Sequence, residues 1–78
     1  MSIRINQRAL RVELALRGWT QTTLAIYAGV SGPTANAAAT GKPVSAATFH
    51  KIAGIALKLD REGQRELIEG LASERVAS

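Results

Sequence analysis

The chain has 78 residues, which predicts a single domain, and a domain of this size buries only about 60% of its unfolded surface. It has no cysteine and one histidine, His50, which excludes a disulfide framework, a thiolate metal site and a cysteine nucleophile. The formal net charge of +4 lies entirely in residues 1–42, because residues 43–78 carry five charges of each sign. This asymmetry favours either a polyanionic partner or ordinary solubilising charge.

No apolar run approaches the ~20 residues of a membrane span, and the first residues, MSIRINQRALR, do not resemble a signal peptide. We therefore expect a cytoplasmic protein without membrane partners. With no nucleophile–base pair, metal-ligand cluster or phosphate loop in the pattern, we expect neither an enzyme nor a cofactor or metal.

The first predicted helix runs from about residue 6 to 17 and ends at Gly18, a residue type favoured after helix ends. Arg4, Arg8 and Arg11 are spaced at i, i+4 and i+7. If the helix begins early, they form one basic stripe along it. Such a stripe could face phosphates or simply be solvated.

Two short helices follow. The second has Thr20 as its N-cap and is predicted to end at Gly29. Ser31 is the predicted N-cap of the third, which runs to about residue 39 and carries Pro33 in its first turn, where the missing N–H does no harm.

The fourth predicted helix begins after Ser45 and repeats apolar residues at i, i+3, i+4 and i+7 from Phe49. A fifth covers about residues 61–73. No segment shows the alternation of a β-strand. The sequence therefore predicts an all-α fold, a compact bundle of four to five short helices.

Two short helices joined by a tight glycine-containing turn are the signature of a helix-turn-helix unit. Residues 21–40 resemble the helix-turn-helix of the Cro and lambda-repressor-like family, and the likeness extends over about residues 8–57, including SAATFHKIAGIAL, which is similar to the family's fourth helix. The matching positions are Gln21 at the start, Leu24 and Ala25 at the helix crossing, Gly29, Val30 and Ser31 in the turn, and Ala35 and Ala38 on the inward side.

The resemblance implies which residues would touch DNA. Those facing the bases would be Ser31, Gly32, Pro33, Thr34, Asn36, Ala37 and Thr40. Those facing phosphates would be Arg8, Arg11, Arg17, Gln21 and Lys42. The family commonly offers Gln, Arg or Lys on this helix, whereas here only Asn36 can make a bidentate contact, for which adenine is the natural partner.

The leading interpretation is a small sequence-specific regulator of double-stranded DNA, a repressor of the phage or mobile-element kind. By resemblance it would bind a two-fold operator as a homodimer, with half-sites about 34 Å apart. The candidate dimer interface is apolar and lies in the C-terminal segment, although the same residues could instead close the core of the bundle. They are Leu67, Ile68, Leu71 and Val76.

Two alternatives stay open. The protein could be the antitoxin of a toxin–antitoxin pair, or an interaction module that keeps the helix-turn-helix without binding DNA. Regulation could also come from a protein partner such as an anti-repressor. The dependence of binding on salt separates these classes, because a DNA binder loses affinity steeply as salt rises.

Overall fold

Five α-helices and a two-stranded antiparallel sheet make up residues 2–68, the part of the chain that the computed structural model describes. The predicted all-α bundle of short helices is confirmed, with the small sheet as an addition. The elements in chain order are β1 (Ser2–Arg4), α1 (Gln7–Arg17), α2 (Gln21–Ala28), α3 (Gly32–Ala39), β2 (Pro43–Ser45), α4 (Ala46–His50), a π-helical segment (Lys51–Ala56) that continues α4, and α5 (Arg61–Leu67). None of the described helices is long and apolar enough to cross a membrane.

Each α-helix begins where a small polar side chain can satisfy a free backbone N–H of the first turn. An oxygen of that side chain accepts from the N–H three residues later, which is the usual N-cap arrangement. The caps at residues 20, 31 and 45 were predicted from the sequence and are confirmed. The five caps are Asn6, Thr20, Ser31, Ser45 and Asp60.

A glycine in the left-handed backbone region caps the end of α2, with φ of 70° at Gly29, and another follows the C-cap residue of α3, with φ of 79° at Gly41. After α2, the N–H of Val30 donates to the carbonyl of Ala25 at 3.1 Å, which closes the helix end and turns the chain. The left-handed conformation at Gly29, which the family resemblance implied, is confirmed. A side chain at either glycine would strain this backbone.

The sheet corrects the prediction for the start of the chain. Ile3 pairs with Val44, and Arg4 pairs with Pro43, so Arg4 lies on a strand and not on α1. The proposed stripe of three arginines on one helix is therefore wrong, and only Arg8 and Arg11 share α1. Strands of three residues are too short to show a period of two in the sequence.

Helix α5 closes the core. Leu67 is only 2% exposed, and its carbonyl accepts the N–H of Asn6 at 2.7 Å. The prediction that Leu67 belongs to a dimer interface is therefore wrong for this fold, because its side chain already fills the interior. Ile68 is half-buried and forms a β-bridge with Ile5. The two other residues of that prediction, Leu71 and Val76, lie outside the described residues.

The fourth helix keeps its predicted apolar face but not a uniform helical geometry. Its predicted core residues Phe49, Ile52, Ala53 and Ala56 are all buried. After His50 the helix widens, and the N–H of Leu57 donates to the carbonyl five residues earlier at 3.0 Å. This bonding pattern is that of a π-helix, which is rare outside single turns.

Candidate nucleic-acid interface

Helices α2 and α3 pack closely because both turn small side chains toward each other and toward the core. On α2, Leu24, Ala25 and Ala28 are buried, and on α3, Ala35 and Ala38 are fully buried. Alanine at the inward positions lets two helix backbones approach without leaving a void. These predicted inward positions are confirmed, and they fix which side of α3 faces outward.

The outward side of α3 carries one amide that makes no hydrogen bond within residues 2–68, that of Asn36, which is exposed. The hydroxyls around it are engaged in capping the helix. Those of Ser31 and Thr34 lie 2.8 Å apart at the start, and that of Thr40 donates to the carbonyl of Asn36 at 2.8 Å near the end. Asn36 is therefore the polar group of this face that is most available to a partner.

The predicted base-facing residues are not equally accessible. Five of them are exposed, and Thr34 and Ala37 are half-buried. The side chains are short, so a partner could approach the backbone of α3 closely. The exposed members are Ser31, Gly32, Pro33, Asn36 and Thr40.

The surface of α2 and α3 has no formal charge, since no acidic or basic residue occurs between Arg17 and Lys42. In the described part of the chain, Glu13 lies on α1, and the other acids lie at the start of α5 or within it. A polyanion that approaches α3 thus meets no carboxylate on that helix. This absence favours contact with DNA, because a carboxylate facing a phosphate would repel it.

A shallow pocket of about 120 Å³ lies between α1, the start of α2 and the end of α3. It brings together Arg11 and Gln21, which the resemblance places against phosphates. Arg11 is exposed and forms no ion pair within the described residues. The residues that line the pocket are Gln7, Leu10, Arg11, Leu14, Gln21 and Ala39.

Two further cations lie outside the pocket. Arg8 is exposed on α1, one turn before Val12, and Lys42 is exposed in the loop that follows α3. The backbone N–H of Lys42 donates to the carbonyl of Ala37 at 2.9 Å, so the end of α3 fixes where this lysine leaves the helix. Both cations are accessible to an anionic partner.

Arg17 does not present a free cation, which corrects the prediction that it contacts phosphate. Its guanidinium donates to the Glu13 carboxylate at 2.7 Å and to the Glu13 carbonyl at 2.9 Å. It also donates to the carbonyl of Leu57 at 2.8 Å, at the end of the π-helical segment. The charge is neutralised locally, and the side chain ties α1 to that segment. The i, i+4 spacing of Glu13 and Arg17 was a signal for this pair in the sequence.

The aromatic pair Trp19 and Tyr27 has a structural role. Their rings stack with centroids 4.5 Å apart and planes 2° apart, and Trp19 packs against the core. The guanidinium of Arg17 lies 5.8 Å from the centre of the Trp19 ring. The stack joins the residue before the N-cap of α2 to the last turn of that helix.

Gln7 is a residue of this region that the sequence reasoning missed. Its Nε2 donates to the carbonyl of Thr40 at 2.9 Å, across 33 positions of the chain. The bond connects the first turn of α1 to the end of α3. A lone glutamine at a helix start gives no signal in a single sequence, because its partner is a backbone group that only the fold brings near.

No family model, curated protein or solved structure matches the chain. Within residues 2–68 there is also no group of three or more His, Cys, Asp or Glu side chains that could hold a metal ion. The case for a function therefore depends on the α2–α3 surface and the polar side chains beside it.

Proposed function

We propose that the protein is a sequence-specific regulator of double-stranded DNA, a small repressor of the phage or mobile-element kind, with α3 lying in the major groove. The observation that carries the proposal is the exposed amide of Asn36, which makes no hydrogen bond within residues 2–68, on a helix without charge. An asparagine amide can accept from adenine N6 and donate to adenine N7 at the same time. Such a contact can distinguish adenine from the other bases.

The small side chains around Asn36 suit close contact with base edges. Ala37 and the methyl groups of Thr34 and Thr40 can meet the methyl group of thymine. No long side chain holds α3 away from the groove floor. Because Asn36 suits adenine and these methyl groups suit thymine, recognition would favour A·T-rich edges. Part of the specificity would then come from the local shape of the DNA.

The affinity would come from residues beside α3. Arg11 and Gln21 share the pocket at the end of α3. Arg8, on the same helix as Arg11, and Lys42, in the loop that follows α3, are exposed cations. The start of α2 adds free backbone N–H groups, which favour an anion. Phosphate contacts of this kind position a protein on DNA, whereas base contacts give it specificity.

A repressor of this size would bind as a homodimer to a two-fold operator, with half-sites about 34 Å apart. Leu67 is not available for the dimer contact, because it fills the core. The symmetry of the bound site therefore reports on the oligomer more directly than any single apolar residue does.

The test is a selection of bound sites from a random double-stranded DNA library at near-physiological salt, followed by sequencing. The proposal expects enrichment of an A·T-containing palindrome with half-sites one helical turn apart. Enrichment of a single half-site would support base reading by a monomer. No enrichment, with only salt-sensitive bulk binding or none, would contradict the proposal.

A protein-interaction module is the second candidate, favoured by exposed aliphatic side chains. Leu16 on α1 is 76% exposed and Ile26 on α2 is 74% exposed. A protein partner that covers these side chains would remove their apolar surface from water. An antitoxin would combine such a contact with DNA binding. Affinity for a protein partner that changes little with salt, without DNA binding, would favour this candidate.

A further inference from the structure

We propose that Gln7 is a positioning residue, which holds α3 in register with α1 so that the base-reading and phosphate-contacting side chains meet DNA together. This inference rests on the proposed function. In this role Gln7 itself contacts no base. It acts through the backbone of α3.

The first observation is the hydrogen bond itself. The Nε2 of Gln7 lies 2.9 Å from the carbonyl oxygen of Thr40, the residue that ends α3. Asn36 lies one turn before Thr40 on that helix, and the hydroxyl of Thr40 donates to the Asn36 carbonyl. A change in the position of Thr40 would therefore be passed to Asn36 through the last turn of α3.

The second observation is that Gln7 shares a helix face with Arg11. The two residues are four positions apart on α1, and both line the pocket that Gln21 also lines. Residues at this spacing lie above one another on a helix. The hydrogen bond thus joins the helix that carries a phosphate-contacting cation to the helix that carries the base-reading amide.

The third observation is the glycine at position 41, which leaves room for the glutamine. A Cβ atom at Gly41 would lie 2.5 Å from the Nε2 of Gln7. An alanine there would displace the amide from Thr40, and it would also strain the left-handed backbone of φ 79°. Gly41 is therefore a second position from which the same hydrogen bond can be broken.

The expected consequence is a loss of specificity more than of overall affinity. Binding to random DNA depends on phosphate contacts, which a small change in the angle of α3 leaves in place. Binding to the selected site needs the base contacts in the same register. One hydrogen bond of this kind contributes an amount that corresponds to an affinity change of about 2- to 10-fold.

The experiment measures Kd on the selected site and on random DNA for the parent and for Gln7→Ala. We expect the ratio of the affinity for the selected site to the affinity for random DNA to fall about 2- to 10-fold. The affinity for random DNA itself should stay unchanged. Gln7 is exposed in the first turn of α1, so the variant should fold. The matched control is Gln64→Ala, which removes a bond from a glutamine Nε2 to the carbonyl of Leu59, also of 2.9 Å, and should leave the ratio unchanged.

A double-mutant cycle with Gly41→Ala isolates the hydrogen bond. If both changes act by breaking it, the ratio for the double variant equals that of the worse single variant, and the effects are not additive. Additive effects would show that Gly41→Ala acts through backbone strain alone, and they would overturn the assignment of Gly41 as a second position that controls this hydrogen bond.

The remaining outcomes separate this inference from the proposed function. An equal loss of affinity on both DNAs would make Gln7 a direct phosphate contact and overturn the positioning role. An unchanged ratio, with the parent still selecting a site, would overturn it while the proposed function stands. A parent that enriches no site would overturn the proposed function, and the role of Gln7 with it.

Discussion

Helices α3 and α5 are almost equal in length, with 8 and 7 residues, and yet they present opposite surfaces. Both begin at a polar N-cap, and both bury one side. Helix α3 carries no charged residue, whereas four of the seven residues of α5 are charged, with both signs present. These are Arg61, Glu62, Arg65 and Glu66.

The contrast shows what each outer surface is suited to contact. Mixed charges on α5 keep a core-closing helix in water, where charged side chains are normally found. The outer side of helix α3 also has exposed residues, but it offers short neutral groups, which suit close contact with a partner. Carboxylates like those of α5 would repel a phosphate backbone. The difference between the two helices therefore supports α3 as the DNA-contacting element.

The largest expected effect comes from truncating the buried leucine on the inner side of α5. Leu67→Ala should lower the free energy of unfolding by about 2–5 kcal/mol, because it removes buried methyl groups and leaves a cavity. Urea denaturation followed by circular dichroism measures this change. A loss below about 1 kcal/mol would contradict the assignment of Leu67 to the core.

Asn36→Ala should have the next largest effect, and on binding instead of stability. We expect a cost of about 1–3 kcal/mol on the selected site, because the bidentate contact to adenine is lost. Binding to random DNA and the free energy of unfolding should change little. Equal losses on both DNAs would refute base reading by this residue.

Arg17→Lys should affect stability without affecting DNA binding. A lysine has one nitrogen where Arg17 uses two, Nη1 toward Glu13 and Nη2 toward Leu57, so the free energy of unfolding should fall by about 1 kcal/mol. The slope of log affinity against log salt should stay as in the parent. A shallower slope would show that Arg17 contacts phosphate.

Arg11→Ala should have the smallest effect in free energy and a distinct signature in salt. Losing one phosphate contact reduces the slope of log affinity against log salt by about 0.9, on all sequences alike. Arg65→Ala on α5 removes the same charge from a helix that carries acids, and its slope should match the parent. If both variants reduce the slope equally, the slope depends on net charge alone, and the assignment of Arg11 to a phosphate contact is wrong.

The helix starts and the inward side of α3 could be predicted from the sequence because local chemistry decides them. Ser31 can cap only the helix that follows it, and the alanines at positions 35 and 38 lie one turn apart on one side. Likewise, the left-handed turn at Gly29 follows from its residue type. Each of these signals lies within a few residues of its effect.

The features that the sequence left open depend on contacts between distant residues. The pairing of Ile3 with Val44 involves strands too short to recognise, and the burial of Leu67 depends on where the N-terminal strand lies. Arg17 reaches Leu57 and Gln7 reaches Thr40 through backbone carbonyls, which have no residue-type signature. The geometry of the α1–α3 junction therefore had to come from the structure.

The most direct test of the account replaces the amide of Asn36 with a carboxylate of the same shape. Asn36→Asp puts a negative charge on a helix that has none, so we expect affinity for every DNA to fall, with the fold intact by circular dichroism. Gln64→Glu makes the same chemical change on α5 and should bind the selected site about as the parent does. If Asn36→Asp binds DNA as tightly as Gln64→Glu, α3 does not face DNA and the central claim is wrong.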